Sequence, residues 1–109
     1  MDHLPGAQIL WETNIHDRQP VSGCAAYKGN TGYFHAAFDE LQDEYEYPRR
    51  LILYELSDDE VAYEQRRHKV WELKKSSQSG LAEFYVEFPP RPSAYEDHRI
   101  VGWFWAAEG

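Results

Sequence analysis

The stretch "SDDEVAYEQRRHKVWELKK", residues Ser57–Lys75, decides how the rest of the chain is read. Ser57 as N-cap and Glu60 three residues on form a capping box, and Leu56 and Val61 stand at the positions of a hydrophobic staple. Acid at Asp58, Asp59 and Glu60 and base at Lys74 and Lys75 suit the two ends of a helix dipole. At about 100° per residue, Ala62, Tyr63, Val70, Trp71 and Leu73 share one arc, which is expected to meet the core. Arg66 and Arg67 fall inside that arc, while Glu60, Glu64, His68 and Glu72 line another side. The arginines read either as stems covering apolar surface with solvated heads, or as an anion-binding pair facing a cleft.

Around this helix the chain alternates as strands do. "QILWETN" is a first strand with Ile9 and Trp11 on one side. "VSGCAAYKGNTGYFHAAFDE" is a hairpin. Val21, Ala25 and Tyr27 form the apolar face of one arm; Phe34, Ala36 and Phe38 form that of the other. A two-residue turn at Gly29-Asn30 predicts Cys24 opposite His35. "DELQDEYEYP" reads as an acidic loop or single helical turn ended by Pro48. "RRLILYELS" has Leu51 and Leu53 on one side and Ile52, Tyr54 and Leu56 on the other, as a central strand does. "LAEFYVEF" alternates Ala82, Phe84, Val86 and Phe88 with Glu83, Tyr85 and Glu87. "FPPRP" reads as a stiff connection, and "RIVGWFWAAEG" as a last strand with Phe104 on one face and Trp103 and Trp105 on the other. The expected fold is α+β: a curved antiparallel sheet of five or six strands packed on one capped helix, in the order β-β-β-β-α-β-β.

With 109 residues the chain fits a single domain, residues 1–109. Four Trp, eight Tyr and five Phe mean that rings supply much of the core and leave some for a binding face. No apolar run is long enough for a membrane span, and "MDHLPGAQ" has neither the basic start nor the apolar stretch of a secretion signal. The lone Cys24 excludes an internal disulfide, and a cytoplasmic location is expected. A net charge of −8 argues against nucleic acid or anionic lipid as a partner and favours a protein with a basic surface.

The charge is also bipolar. Acid gathers between Asp39 and Glu60, whereas five of the eleven Lys and Arg residues lie between Arg66 and Lys75. Chemistry-bearing motifs are sparse. Cys24 and His35 are the one nucleophile-and-base pair, a weak catalytic alternative in small-residue surroundings. Glu64, His68 and Glu72 have one-turn spacing without the second histidine or cysteine pair of a metal motif. Neither a metal nor an organic cofactor is expected.

The reading that follows is non-enzymatic: a small acidic intracellular protein that inhibits or neutralises a macromolecular partner, in the manner of toxin-neutralising or phage counter-defence proteins. Glu40, Asp43, Glu44 and Glu46 would steer the partner, with Tyr45 and Tyr47 as contact rings. Two alternatives stand beside it. One is a small anionic-ligand-binding or enzymatic domain with Arg66 and Arg67 between sheet and helix. The other is a homodimeric module joined through an exposed aromatic patch of Tyr85, Trp103 and Trp105.

Overall fold

Alternation and turn chemistry build the sheet outward from the hairpin that spans residues 19–36. In the computed structural model, which describes residues 1–16, 18–76 and 95–108, β1 (Gln8–His16), β2 (Gln19–Tyr27), β3 (Asn30–Ala36), β6 (Arg50–Glu55) and β7 (Ile100–Trp105) form one antiparallel sheet in the order β1-β2-β3-β6-β7. A two-stranded hairpin, β4 (Phe38–Asp39) and β5 (Glu44–Tyr45), leaves the sheet between β3 and β6. One helix, α1 (Asp58–Ser76), follows β6. The fold is thus α+β, with β6 internal between β3 and β7 as its two apolar sides require. The strand expected at 81–88, with Tyr85, and the connection at 88–92 lie outside the described residues.

The β2–β3 turn differs from expectation. Tyr27 pairs with Asn30, so the turn residues are Lys28 and Gly29, both at positive φ (49° and 81°) as a twisted two-residue hairpin demands. The register slides by two residues, which keeps the β2 and β3 side chains on their expected faces but separates Cys24 from His35; Phe38, expected on the apolar face with Phe34 and Ala36, lies beyond β3 and is exposed. Cys24 stands opposite Tyr33, and His35 opposite Ser22. Lys28 holds a left-handed conformation that asparagine tolerates better. Lys28→Asn is expected to stabilise the chain by about 0.5 kcal/mol, read as a raised urea midpoint at unchanged slope.

Both faces of the sheet carry a buried cluster. One holds Val21, Ala25, Phe34, Ala36, Leu51, Leu53 and Phe104, with Leu4 and Ala7 of the N-terminal segment. Leu4 donates its amide to the Trp103 carbonyl and Asp2 accepts from the Trp103 amide, so this segment straps the β7 edge. Gly102 permits the strap, because a Cβ there would meet the Asp2 carbonyl and the Leu4 side chain. The opposite face holds Cys24, Tyr33, Tyr54, Leu56 and Tyr95, with Trp11, Ile52 and Val61 packed on them.

α1 sits on this second face, but not by the arc its sequence suggests. Ala62, Arg66 and Leu73 are exposed, and the side turned to the sheet carries Val61, Glu64 and His68. That is a rotation of roughly 160° from the expected facing. The reason is that polar ties outweigh a diluted apolar arc. Glu64 is wholly buried and accepts a hydrogen bond from the Tyr95 hydroxyl at 2.7 Å, while His68 stacks on Trp11 at 4.8 Å. The helix start is as expected: the Ser57 amide donates to Glu60 Oε1 at 2.8 Å, and the Glu60 amide to Ser57 Oγ at 3.2 Å.

A second tie joins α1 to the segment just before β7 and responds to pH. His98 lies between Asp97 Oδ1 (2.9 Å) and Glu60 Oε2 (2.6 Å), and these carboxylates raise its pKa, Asp97 foremost. Burial opposes ionisation of Glu60, yet the Ser57 amide and His98 together hold its carboxyl below the ordinary value. A raised histidine contributes stability that is complete below its unfolded value and fades as pH rises through the folded one. The depressed Glu60 contributes stability that is complete above its unfolded value and fades as pH falls through the folded one. The trio therefore stabilises most between the ordinary carboxylate and histidine ranges. In urea titrations, wild type is expected to lose stability as pH rises above the ordinary histidine value and His98→Gln to remove that loss; an unchanged slope would count against the tie.

Candidate acidic docking hairpin

The segment expected to be a loop or helical turn is the β4–β5 hairpin, and it brings the predicted contact residues together. Asp39 Oδ1 accepts from the amides of Leu41 (3.0 Å) and Gln42 (3.3 Å), folding the tip back, and Asp43 closes the turn at φ 54°. Phe38 pairs with Tyr45 across the hairpin, their rings edge to face at 5.4 Å. Two backbone hydrogen bonds, Ala37 amide to Arg50 carbonyl and Glu46 amide to Ala37 carbonyl, fasten its root to the sheet.

The surface so presented is both acidic and apolar. Glu40, Asp43 and Glu44 are exposed and enter no ion pair among the described residues. Beside them Phe38 is 45% exposed, Leu41 95% and Tyr47 89%, so three large apolar side chains face water next to unpaired carboxylates. Glu46 differs. It takes a bidentate pair of hydrogen bonds from Arg50, both at 2.9 Å, which hold its carboxyl below the ordinary range. Glu46 is thus committed inside the molecule, as the lower step of a stack in which Arg50 lies over the Trp103 ring.

Under the hairpin lies Arg49, only 7% exposed. Its Nη1 donates to the carbonyls of His16 (2.9 Å), Gln19 (3.1 Å) and Pro20 (3.5 Å), and its guanidinium covers the Tyr45 ring at 4.9 Å. It clamps the β1–β2 turn to the hairpin root. Sequence reading passed over this residue, although a signal was present: Arg49 shares strand parity with the buried Leu51 and Leu53, so it should point inward. A cleft of about 580 Å³ opens beside it, lined on one side by Asp43, Glu44, Tyr45 and Tyr47.

The other candidates do not converge. Cys24 is fully buried, and His35, half-buried, has Nδ1 at 2.9 Å from the Ala36 carbonyl. Arg66 is exposed on the far side of α1, while Arg67 reaches Tyr63 and the rim of a hollow of about 110 Å³ between β1 and α1. That volume is well under the roughly 300 Å³ of ordinary ligand sites. A larger hollow of about 780 Å³ lies by the β2–β3 turn, where Arg99 at its edge is paired with Glu55 at 2.6 Å. Trp103 and Trp105 share the face of Ile52, on the helix side of the sheet. Trp103 is half-buried, packing on His3 at 4.7 Å and Trp105 at 4.9 Å, so that among the described members of the expected aromatic patch Trp105 is the more exposed.

Fold and hairpin together define a small α+β chain with an acidic, ring-bearing projection on a braced root. No helix among the described residues is long and apolar enough to cross a membrane. Comparison with protein-family models, with curated proteins and with solved structures finds no match for this chain.

Proposed function

We propose that this chain is an acidic binding protein that inhibits or neutralises a macromolecular partner with a basic surface. The observation that carries the reading is the β4–β5 hairpin, where unpaired Glu40, Asp43 and Glu44 adjoin exposed Phe38, Leu41 and Tyr47. Carboxylates held away from internal cations keep their field for an incoming surface and raise the encounter rate with a positive one. Exposed rings beside them supply contact area at low entropic cost once the partner has arrived. The braced root matters equally, since a hairpin already ordered loses little freedom on binding. Capture of partners by wild type, compared with a hairpin of altered charge at low and high salt, tests the proposal. A captured set that is indifferent to both changes overturns it.

A further inference from the structure

We infer that the cleft under the hairpin receives the C-terminal carboxylate of a basic partner chain, with Arg49 as the group that reads it. The inference rests on the hairpin's role as the docking surface and names the part of the partner that seats there. Arg49 is more than nine-tenths buried, yet no carboxylate among the described residues pairs with it. Its Nη1 is taken by three backbone carbonyls and its Nε is enclosed, which leaves Nη2, from which no described group accepts, as the donor for a ligand in the cleft. The neighbouring Glu46, the obvious counter-ion, is committed to Arg50 on both oxygens. A guanidinium withdrawn from water is best matched by a planar carboxylate.

The cleft that Arg49 lines, at about 580 Å³, falls within the range of ligand sites. Its walls decide which carboxylate fits. Asp43 and Glu44 stand at the same cleft and repel a free polyanion, while Tyr45 and Tyr47 offer rings. A ligand that suits floor and rim together carries one carboxylate with a cation a few ångströms away. The last residue of a chain ending in lysine or arginine has this chemistry, and capture of a terminal carboxylate is an established mode of peptide recognition.

The probes are acetyl-glycyl-glycyl-arginine and its C-terminal amide, titrated against the whole chain and followed by amide and arginine Nε–H resonances. The free acid is expected to bind about tenfold tighter than the amide. Attraction to an acidic surface alone gives the opposite order, because the amide carries one more positive net charge. Arg49→Lys, which keeps the charge but replaces the fixed planar donor with a flexible ammonium, is expected to abolish the preference. An amide that binds as tightly as the acid, or an acid that gives no saturable shift, overturns the inference. Should Arg49→Lys fail to fold, the wild-type pair decides alone. The two readings also fail separately. Lost carboxylate preference with salt-dependent partner capture intact removes only the cleft, whereas a preference that survives while hairpin charge leaves capture unchanged removes the hairpin's role.

Discussion

A variant carrying Glu40→Lys, Asp43→Asn and Glu44→Lys is expected to bind the partner at least tenfold more slowly than wild type at low salt, with the difference shrinking as salt rises. Position 43 takes asparagine rather than lysine because its φ of 54° is left-handed, and asparagine enters that region without the strain of a long side chain. None of the three is buried or ion-paired among the described residues, so the fold should survive and the loss should fall on association. Opposite charges at the surface attract beyond contact distance and are screened over about 8–10 Å at ordinary ionic strength. Tyr47→Ala should behave differently. An anchor ring at the centre of an interface is worth about 2 kcal/mol or more, roughly a thirtyfold faster dissociation, with little dependence on salt. Interferometry on the partner captured by wild type separates the two effects. Rates that stay within twofold of wild type for both variants would remove the hairpin from the interface.

What the sequence made legible follows how local each determinant is. The capping box at Ser57 and Glu60 needs four adjacent residues, and it forms as read. Strand faces follow from period-two alternation in β2, β3 and β6, and a slip of two residues in the β2–β3 register leaves them intact. In β1 they do not: a bulge between Ile9 and Trp11 turns these two residues, expected on one side, to opposite faces of the sheet. The slip itself was hidden, because Lys28-Gly29 and Gly29-Asn30 both supply glycine to a two-residue turn and the choice rests on pairing along the whole ladder. The helix rotation was hidden for a stronger reason. Glu64 and Tyr95 are 31 residues apart, and nothing near Glu64 in sequence marks it as buried. The candidate site divides along the same line. Composition located the acidic stretch, and parity puts Arg49 on the side of Leu51 and Leu53; but β6 is apolar on both sides, so the folded sheet decides that Arg49 becomes a buried clamp and Arg50 the partner of Glu46.

The largest expected loss of stability comes from Phe34→Ala. Phe34 is fully buried at the centre of β3, opposite Leu53 and edge to face with Phe104 at 6.0 Å. Its ring lies over Gly23 on β2, where a Cβ would approach a ring carbon to 2.9 Å, so the missing glycine side chain makes the room that the ring fills. Removing a ring from such a site forfeits its transfer free energy and leaves a hollow, about 3–5 kcal/mol together. Neighbours are poorly placed to collapse into it. Gly23 has no side chain to offer, and Leu51 and Leu53 are held by β6 between two paired strands. Domains of this size have only about 5–15 kcal/mol in total, so the variant should lose a large part of its stability, with Tm falling by roughly 15–30 °C. Phe34→Leu, which keeps most of the volume, should cost less than about 1.5 kcal/mol. Urea unfolding followed by far-UV circular dichroism measures both. A loss under about 1 kcal/mol for the alanine variant would mean that the face opposite the helix is not the dry, packed layer that holds the hairpin root in place.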